Sequence, residues 1–97
     1  MAVADIKYAD LTQKQIEFIN NYIPETTGFI SKKEVDKIAS VFNLSEISDT
    51  EDMRAIRNSV VSTCSPLIKE SWEKMQTMQS IVAVIDHFMF KINPMSI

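Results

Sequence analysis

Between Pro66 and Ile92 the chain carries an apolar run that limits the folds open to it: Ile81-Val82-Ala83-Val84-Ile85, then Phe88-Met89-Phe90 and Ile92. Read as one helix, its first half shows a single apolar stripe of Ile68, Trp72, Met75 and Met78. Its second half is apolar almost all the way round, the pattern of a helix enclosed by others. Asp86 and Lys91 interrupt the run, and its dozen or so residues fall short of the ~20 needed to cross a bilayer. A buried core helix is therefore predicted, and no membrane span.

Length adds a second constraint. At 1.5 Å per residue a straight helix over this stretch is roughly 40 Å long, whereas a domain of about 100 residues has a radius of gyration near 13 Å and an equivalent sphere roughly 33 Å across. A straight helix overhangs. Either it bends near Thr77 to Ser80, or Ile81, Ile85, Phe88 and Ile92 are covered in part by a second subunit; these four are the candidate self-association residues. Ile68, Met75, Val82 and Met89, with Met78 and Ile85 between them, recur every seven residues as a coiled-coil seam does, interrupted by Ser71. A homo-oligomer is the expectation.

The other apolar segments are shorter and amphipathic, and their starts are marked. Thr12 with Gln15 forms a capping box and Leu11 with Ile16 a hydrophobic staple, so helix one is predicted from Gln13 to about Ile23, where Pro24 stops it. Ser31 with Glu34, and Ile30 with Val35, repeat the pattern for a second helix from Lys32 to about Asn43. Gly28 sits in the turn between them, where a positive φ is the obvious need. Ser48 with Glu51 offers a third capping box, for a helix from Thr50 to about Thr63. Ser65 and Pro66 then read as the cap and first turn of helix four. The predicted architecture is all-α, with three shorter amphipathic helices packed on a long apolar C-terminal helix in a single domain of residues 1–97. Residues 1–10 are a lead-in that packs through Val3, Ile6 and Tyr8, and 93–97 a short tail.

Composition closes several functional classes. A hydrophobic fraction of 45% over 97 residues supports a core without disulfides or metal. The net charge of −3 weighs against nucleic acid, which asks for a basic face that displaces counterions. Cys64 is the single cysteine, so no disulfide forms within the chain and a reducing compartment is implied. The start Met1-Ala2-Val3-Ala4-Asp5-Ile6-Lys7 has no basic region followed by a long apolar run, and a cytoplasmic protein is expected.

Few residues invite chemistry. Cys64 and His87 are the only thiol and the only imidazole, but no orienting third group or oxyanion loop accompanies them, so no catalytic pair is assigned. One imidazole without a cluster makes no zinc site. The expectation is a protein with no catalytic residues, no metal and no cofactor. The carboxylates Glu46, Asp49, Glu51 and Asp52 crowd the start of helix three, where the helix dipole favours them. They are the candidate residues for docking a basic partner. Met53, Met75, Met78 and Met89 are core fillers whose flexibility also suits an adaptable surface.

Three short resemblances follow from these segments. Glu25-Thr26-Thr27-Gly28-Phe29-Ile30-Ser31-Lys32-Lys33-Glu34 resembles the latter half of an EF-hand loop, with Gly at the sixth place and Glu at the twelfth. Ile23 stands where that family has its first Asp ligand, which argues for a capped turn and against calcium. Val35 to Ser45 resembles the first helix and turn of a helix-turn-helix, with the segment 35–57 as the candidate module. Leu11-Thr12-Gln13-Lys14-Gln15-Ile16-Glu17-Phe18 resembles the opening of phage small terminase subunits. The last two likenesses imply, as the alternative, a DNA-binding or packaging-type module, but the helix that would read DNA begins with acids that repel phosphate. The expected function is a small non-enzymatic protein–protein interaction protein: an adaptor, inhibitor or accessory subunit.

Overall fold

A computed structural model describes residues 7–26 and 30–92. Four helices follow in order, α1 (Gln13–Glu25), α2 (Lys32–Val41), α3 (Thr50–Ile68) and α4 (Trp72–Ile92), with a 3-10 turn at Leu44–Glu46. Among the described residues there is no strand, so the fold is all-α. No helix is long and apolar enough to cross a membrane among these residues. Val3, Ile6, the turn at Gly28 and the tail 93–97 lie outside the described residues.

The C-terminal helix is shorter than the sequence predicts, and its partner longer. The expected single helix from Pro66 to Ile92 is broken at Lys69–Ser71, not at Thr77 to Ser80. Lys69 adopts φ 50°, a left-handed value at which an L-residue with a Cβ cannot continue a helix. Ser71, which interrupts the heptad, is the cap: its hydroxyl accepts from the Lys74 N–H at 3.3 Å and its carbonyl from the Met75 N–H at 3.0 Å. Ser65 does not cap; its hydroxyl donates back to the Val61 carbonyl at 2.8 Å, and Pro66 sits inside the last turns of α3. With 21 residues α4 is about 31 Å long, which fits the 35 Å extent of the molecule.

The short Lys69–Ser71 link makes α3 and α4 an antiparallel hairpin. It is the most extensive helix pair, with α1 laid chiefly on α3 and α2 on α4. Ile19 and Ile23 of α1, Ile38 of α2, Met53 and Val60 of α3, and Ile81 and Ile85 of α4 are all completely enclosed. Arg57 and Asp86 join the hairpin across its surface at 2.9 Å. Thr77 is fully buried in unbroken helix, because its hydroxyl reaches the Glu73 carbonyl of its own helix and the Thr26 carbonyl after α1, both at 3.1 Å. Lys74 reaches the Ile23 and Pro24 carbonyls at 3.4 and 3.3 Å, placing a cation at the negative end of α1.

Of the three predicted capping boxes, one holds. Thr12 and Gln15 exchange both bonds of the predicted capping box, at 2.9 and 3.1 Å. At α2 the Ser31 side chain makes no capping bond, and Glu34 instead accepts the Tyr22 hydroxyl at 2.5 Å. At α3 Asp49, not Ser48, caps by accepting from the Glu51 N–H at 2.8 Å. Gln15 also turns its amide onto the Val41 carbonyl at 3.1 Å, so one buried side chain closes the start of α1 and the end of α2. The lead-in is pinned to α3: the Ser59 hydroxyl accepts from the Ala9 N–H and donates to the Ala9 carbonyl, each at 2.7 Å.

Two substitutions probe these assignments. Pro66→Ala restores a backbone donor inside α3 and should stabilise the protein, by up to about 3 kcal/mol, raising the thermal midpoint; a fall would mean that Pro66 starts a helix instead. Gln15→Glu keeps the acceptor for Thr12 but sets a carboxylate against the Val41 carbonyl. Calorimetry should find it destabilised by about 1–3 kcal/mol at pH 7, and less near pH 4, where a protonated carboxyl donates again.

Candidate functional site: the outer face of the last helix

The faces of α4 divide cleanly. Residues at 3.6-residue spacing from Ile81, including Ile85 and Thr77, point into the core, as do Val84 and Met89. The opposite face carries Trp72, Glu73, Gln79, Ala83, His87, Phe90 and Lys91, all exposed. Trp72 and Phe90 lie 18 residues apart, five helical turns, and so share one direction about 27 Å from each other. Trp72 is 67% exposed and Phe90 49%; with Tyr8 they are the large hydrophobic side chains left outside among the described residues. Beside this strip a groove of about 320 Å³ opens between α4 and the start of α2, walled by Ile30, Val35, Ala83 and Val84 with His87 at its edge.

The predicted self-association residues fall elsewhere. Ile81 and Ile85 have no exposed surface, because α1, α2 and α3 of the same chain close over them. Phe88 and Ile92 are partly buried against that core, and the Lys91 ammonium lies 5.1 Å from the Phe88 ring centre. The seam positions Ile68, Val82 and Met89 are buried as well. Trp72 was expected on a stripe with Ile68. The break at Lys69–Ser71 puts the two on different helices, so their four-residue spacing no longer sets a common face. The 18-residue spacing of Phe90 from Trp72 gives the two a common direction from the helical period alone, while the placement of the neighbouring helices leaves that direction exposed.

The acidic start of α3 is exposed at Glu46, Asp49, Glu51 and Asp52, but two of the four carboxylates are engaged. Asp49 caps α3, and Glu51 holds Lys7 at 3.1 Å in a well-exposed pair. Glu46 lies in the 3-10 turn and Asp52 at the edge of a groove of about 460 Å³ between the lead-in and α3. The helix-turn-helix likeness does not extend to geometry. A left-handed Asn43 and the 3-10 turn fill the connection from Phe42 to Asp49, where that motif has a turn of 3–4 residues. α2 packs mainly on α4, not on α3.

The remaining reactive groups are accounted for by packing. Cys64 is fully enclosed and burial pushes its thiol up to about 12. His87 is exposed on α4, so the two do not form a pair. Burial, then the bond to Glu34, raises the Tyr22 phenol above its ordinary range. In the EF-hand-like segment Ile23 is a core residue and the Glu34 carboxylate is occupied by Tyr22. Among the described residues no group of three His, Cys, Asp or Glu side chains could hold a metal ion. Met53 and Met89 are buried, and Met75 and Met78 pack against the core.

Comparison with protein-family models, with curated proteins and with solved structures finds no match to this chain.

The buried thiol has a measurable consequence. Its folded pKa lies above the unfolded value, so its contribution to stability is complete below about pH 8.5 and is lost as pH rises toward 12. Tyr22, also raised, adds to the same alkaline decline beginning near pH 10. Stability should fall from about pH 8.5 upward, and Cys64→Ala, though weaker at pH 7, should show a shallower fall between pH 9 and 11 by denaturant titration. Iodoacetamide should label native Cys64 only as fast as the protein opens; rapid labelling of folded protein would contradict the enclosure.

Proposed function

We propose that the chain is a small non-enzymatic protein–protein interaction protein, an adaptor, inhibitor or accessory subunit, that self-associates through its C-terminal helix. The observation that carries this is the outer face of α4, where Trp72 and Phe90 stand exposed in one direction at the two ends of a rigid helix. Large aromatics are enriched at the buried centres of interfaces and depleted from bare surfaces, because each removes a large apolar area from water when covered. Burial of one such side chain is worth about 1.5–3 kcal/mol before the cost of association. A rigid helix loses little further freedom on docking, so more of that gain is kept.

The acidic start of α3 supports a second role for a different protein. Asp52 and Glu51, the latter in an exposed pair with Lys7, present negative charge at the groove beside the lead-in, and Glu46 adds an exposed carboxylate in the preceding 3-10 turn. Charge of this kind steers a basic partner and sets its orientation more than it sets affinity. The DNA-binding alternative rests on the likeness of residues 35–57 and has no basic face at the start of α3 to support it.

Affinity purification of the full chain from its native host with mass spectrometry, beside light scattering of the purified protein, tests the proposal. A defined stoichiometric partner, weakened by Glu46→Lys with Asp52→Lys, and a mass above the monomer are the expected results. A monomer at high concentration that recovers no partner, or salt-sensitive binding to DNA in its place, would overturn it.

A further inference from the structure

The outer face of α4 is self-complementary in one orientation. Trp72 and Glu73 lie in the first turn, and Phe90 and Lys91 in the last, each pair on the exposed side. Between these ends lie Gln76, Gln79, Ser80 and Ala83, none of them bulkier than glutamine, with the exposed His87 one turn beyond Ala83, toward Phe90. Turn this helix end for end about an axis between Ser80 and Ala83, and Trp72 of one copy meets Phe90 of the other while Glu73 meets Lys91. Both correspondences arise twice, as a two-fold axis demands. The same strip laid parallel would set Glu73 on Glu73 and Lys91 on Lys91.

From this geometry we infer that two copies of the chain pair antiparallel along the outer faces of α4, with the small side chains of Ser80 and Ala83 at the crossing and a Trp72–Phe90 contact at each end. It rests on the self-association proposed above and names the surface that does it. The occupant is a second copy because the charges and aromatics pair with their own reverse order. Asp86, the remaining acid beside the strip, is held by Arg57 of its own chain at 2.9 Å and leaves no unmatched charge there. The small central residues let the helix axes approach, while the aromatic ends reach across the gap opened by the crossing angle. A strip one helix wide is at the small end of specific interfaces, so the dimer is in equilibrium with monomer and its mass depends on concentration.

Sedimentation equilibrium of the full chain over a range of concentrations reads the dimer constant, with circular dichroism reporting that each variant is folded. Wild-type protein is expected to dimerise, and Phe90→Ala to weaken the dimer by about tenfold or more. Glu73→Lys alone and Lys91→Glu alone should each weaken it by about fivefold, and the double variant E73K/K91E should recover most of the loss. That recovery is specific to antiparallel pairing, and it carries the test alone if Phe90→Ala fails to fold. A dimer indifferent to Phe90→Ala and to both charge reversals would overturn this surface while leaving self-association standing. Higher assemblies that grow without closing at two would also overturn it. Protein that stays monomeric at all concentrations would overturn both this pairing and the self-association on which it rests.

Discussion

Contact between α3 and α4 is the constraint on which the other packing depends. Two helices of 19 and 21 residues run back on each other, and their shared surface receives the isoleucines of α1 and α2. At 13 and 10 residues, α1 and α2 lie at and below the length of about 12–15 residues under which isolated helices are marginal in water. Each is held where it can bury an apolar face against the hairpin. The reversal itself is made at an unfavourable residue. Lys69 takes a positive φ that glycine would adopt without cost, and the packing on both sides of the turn outweighs that penalty.

Polar side chains do the joining where helix ends would otherwise leave backbone groups without partners. Gln15, Lys74, Thr77 and Ser59 each connect backbone atoms that are far apart in the chain. Buried carbonyls and N–H groups are costly when unsatisfied, so these few side chains determine how the helix ends meet. No buried side-chain nitrogen or oxygen among the described residues is left without a partner. Buried polar side chains among the described residues are thus engaged in holding the structure together. On α4 the outer surface is aromatic at its ends and small in its middle; at the start of α3 it is acidic.

Much of this organisation is legible in the sequence, and the exceptions have a common cause. Four helices and the Thr12–Gln15 capping box follow from periodicity and from hydrogen bonding over three residues. The boundary between α3 and α4 does not. Ser65-Pro66 carries a stronger local signature of a helix start than Ser71 does, yet packing carries α3 through the proline. Likewise Ser31 and Glu34 have capping-box spacing, but the Tyr22 hydroxyl from a neighbouring helix takes the glutamate. In each case a tertiary contact outbids a local preference worth about 1 kcal/mol.

The candidate site divides the same way. Sequence alone determined that the chain is helical and that the start of α3 is acidic, because these are properties of residue type and spacing. Which apolar side chains remain outside was decided by tertiary structure. The break at Lys69–Ser71 detached Trp72 from the stripe of Ile68, and the closure of α1 and α2 over the hairpin enclosed Ile81 and Ile85 while leaving Trp72 and Phe90 exposed. A helical period fixes which residues share a face; only the placement of neighbouring helices decides which face meets water.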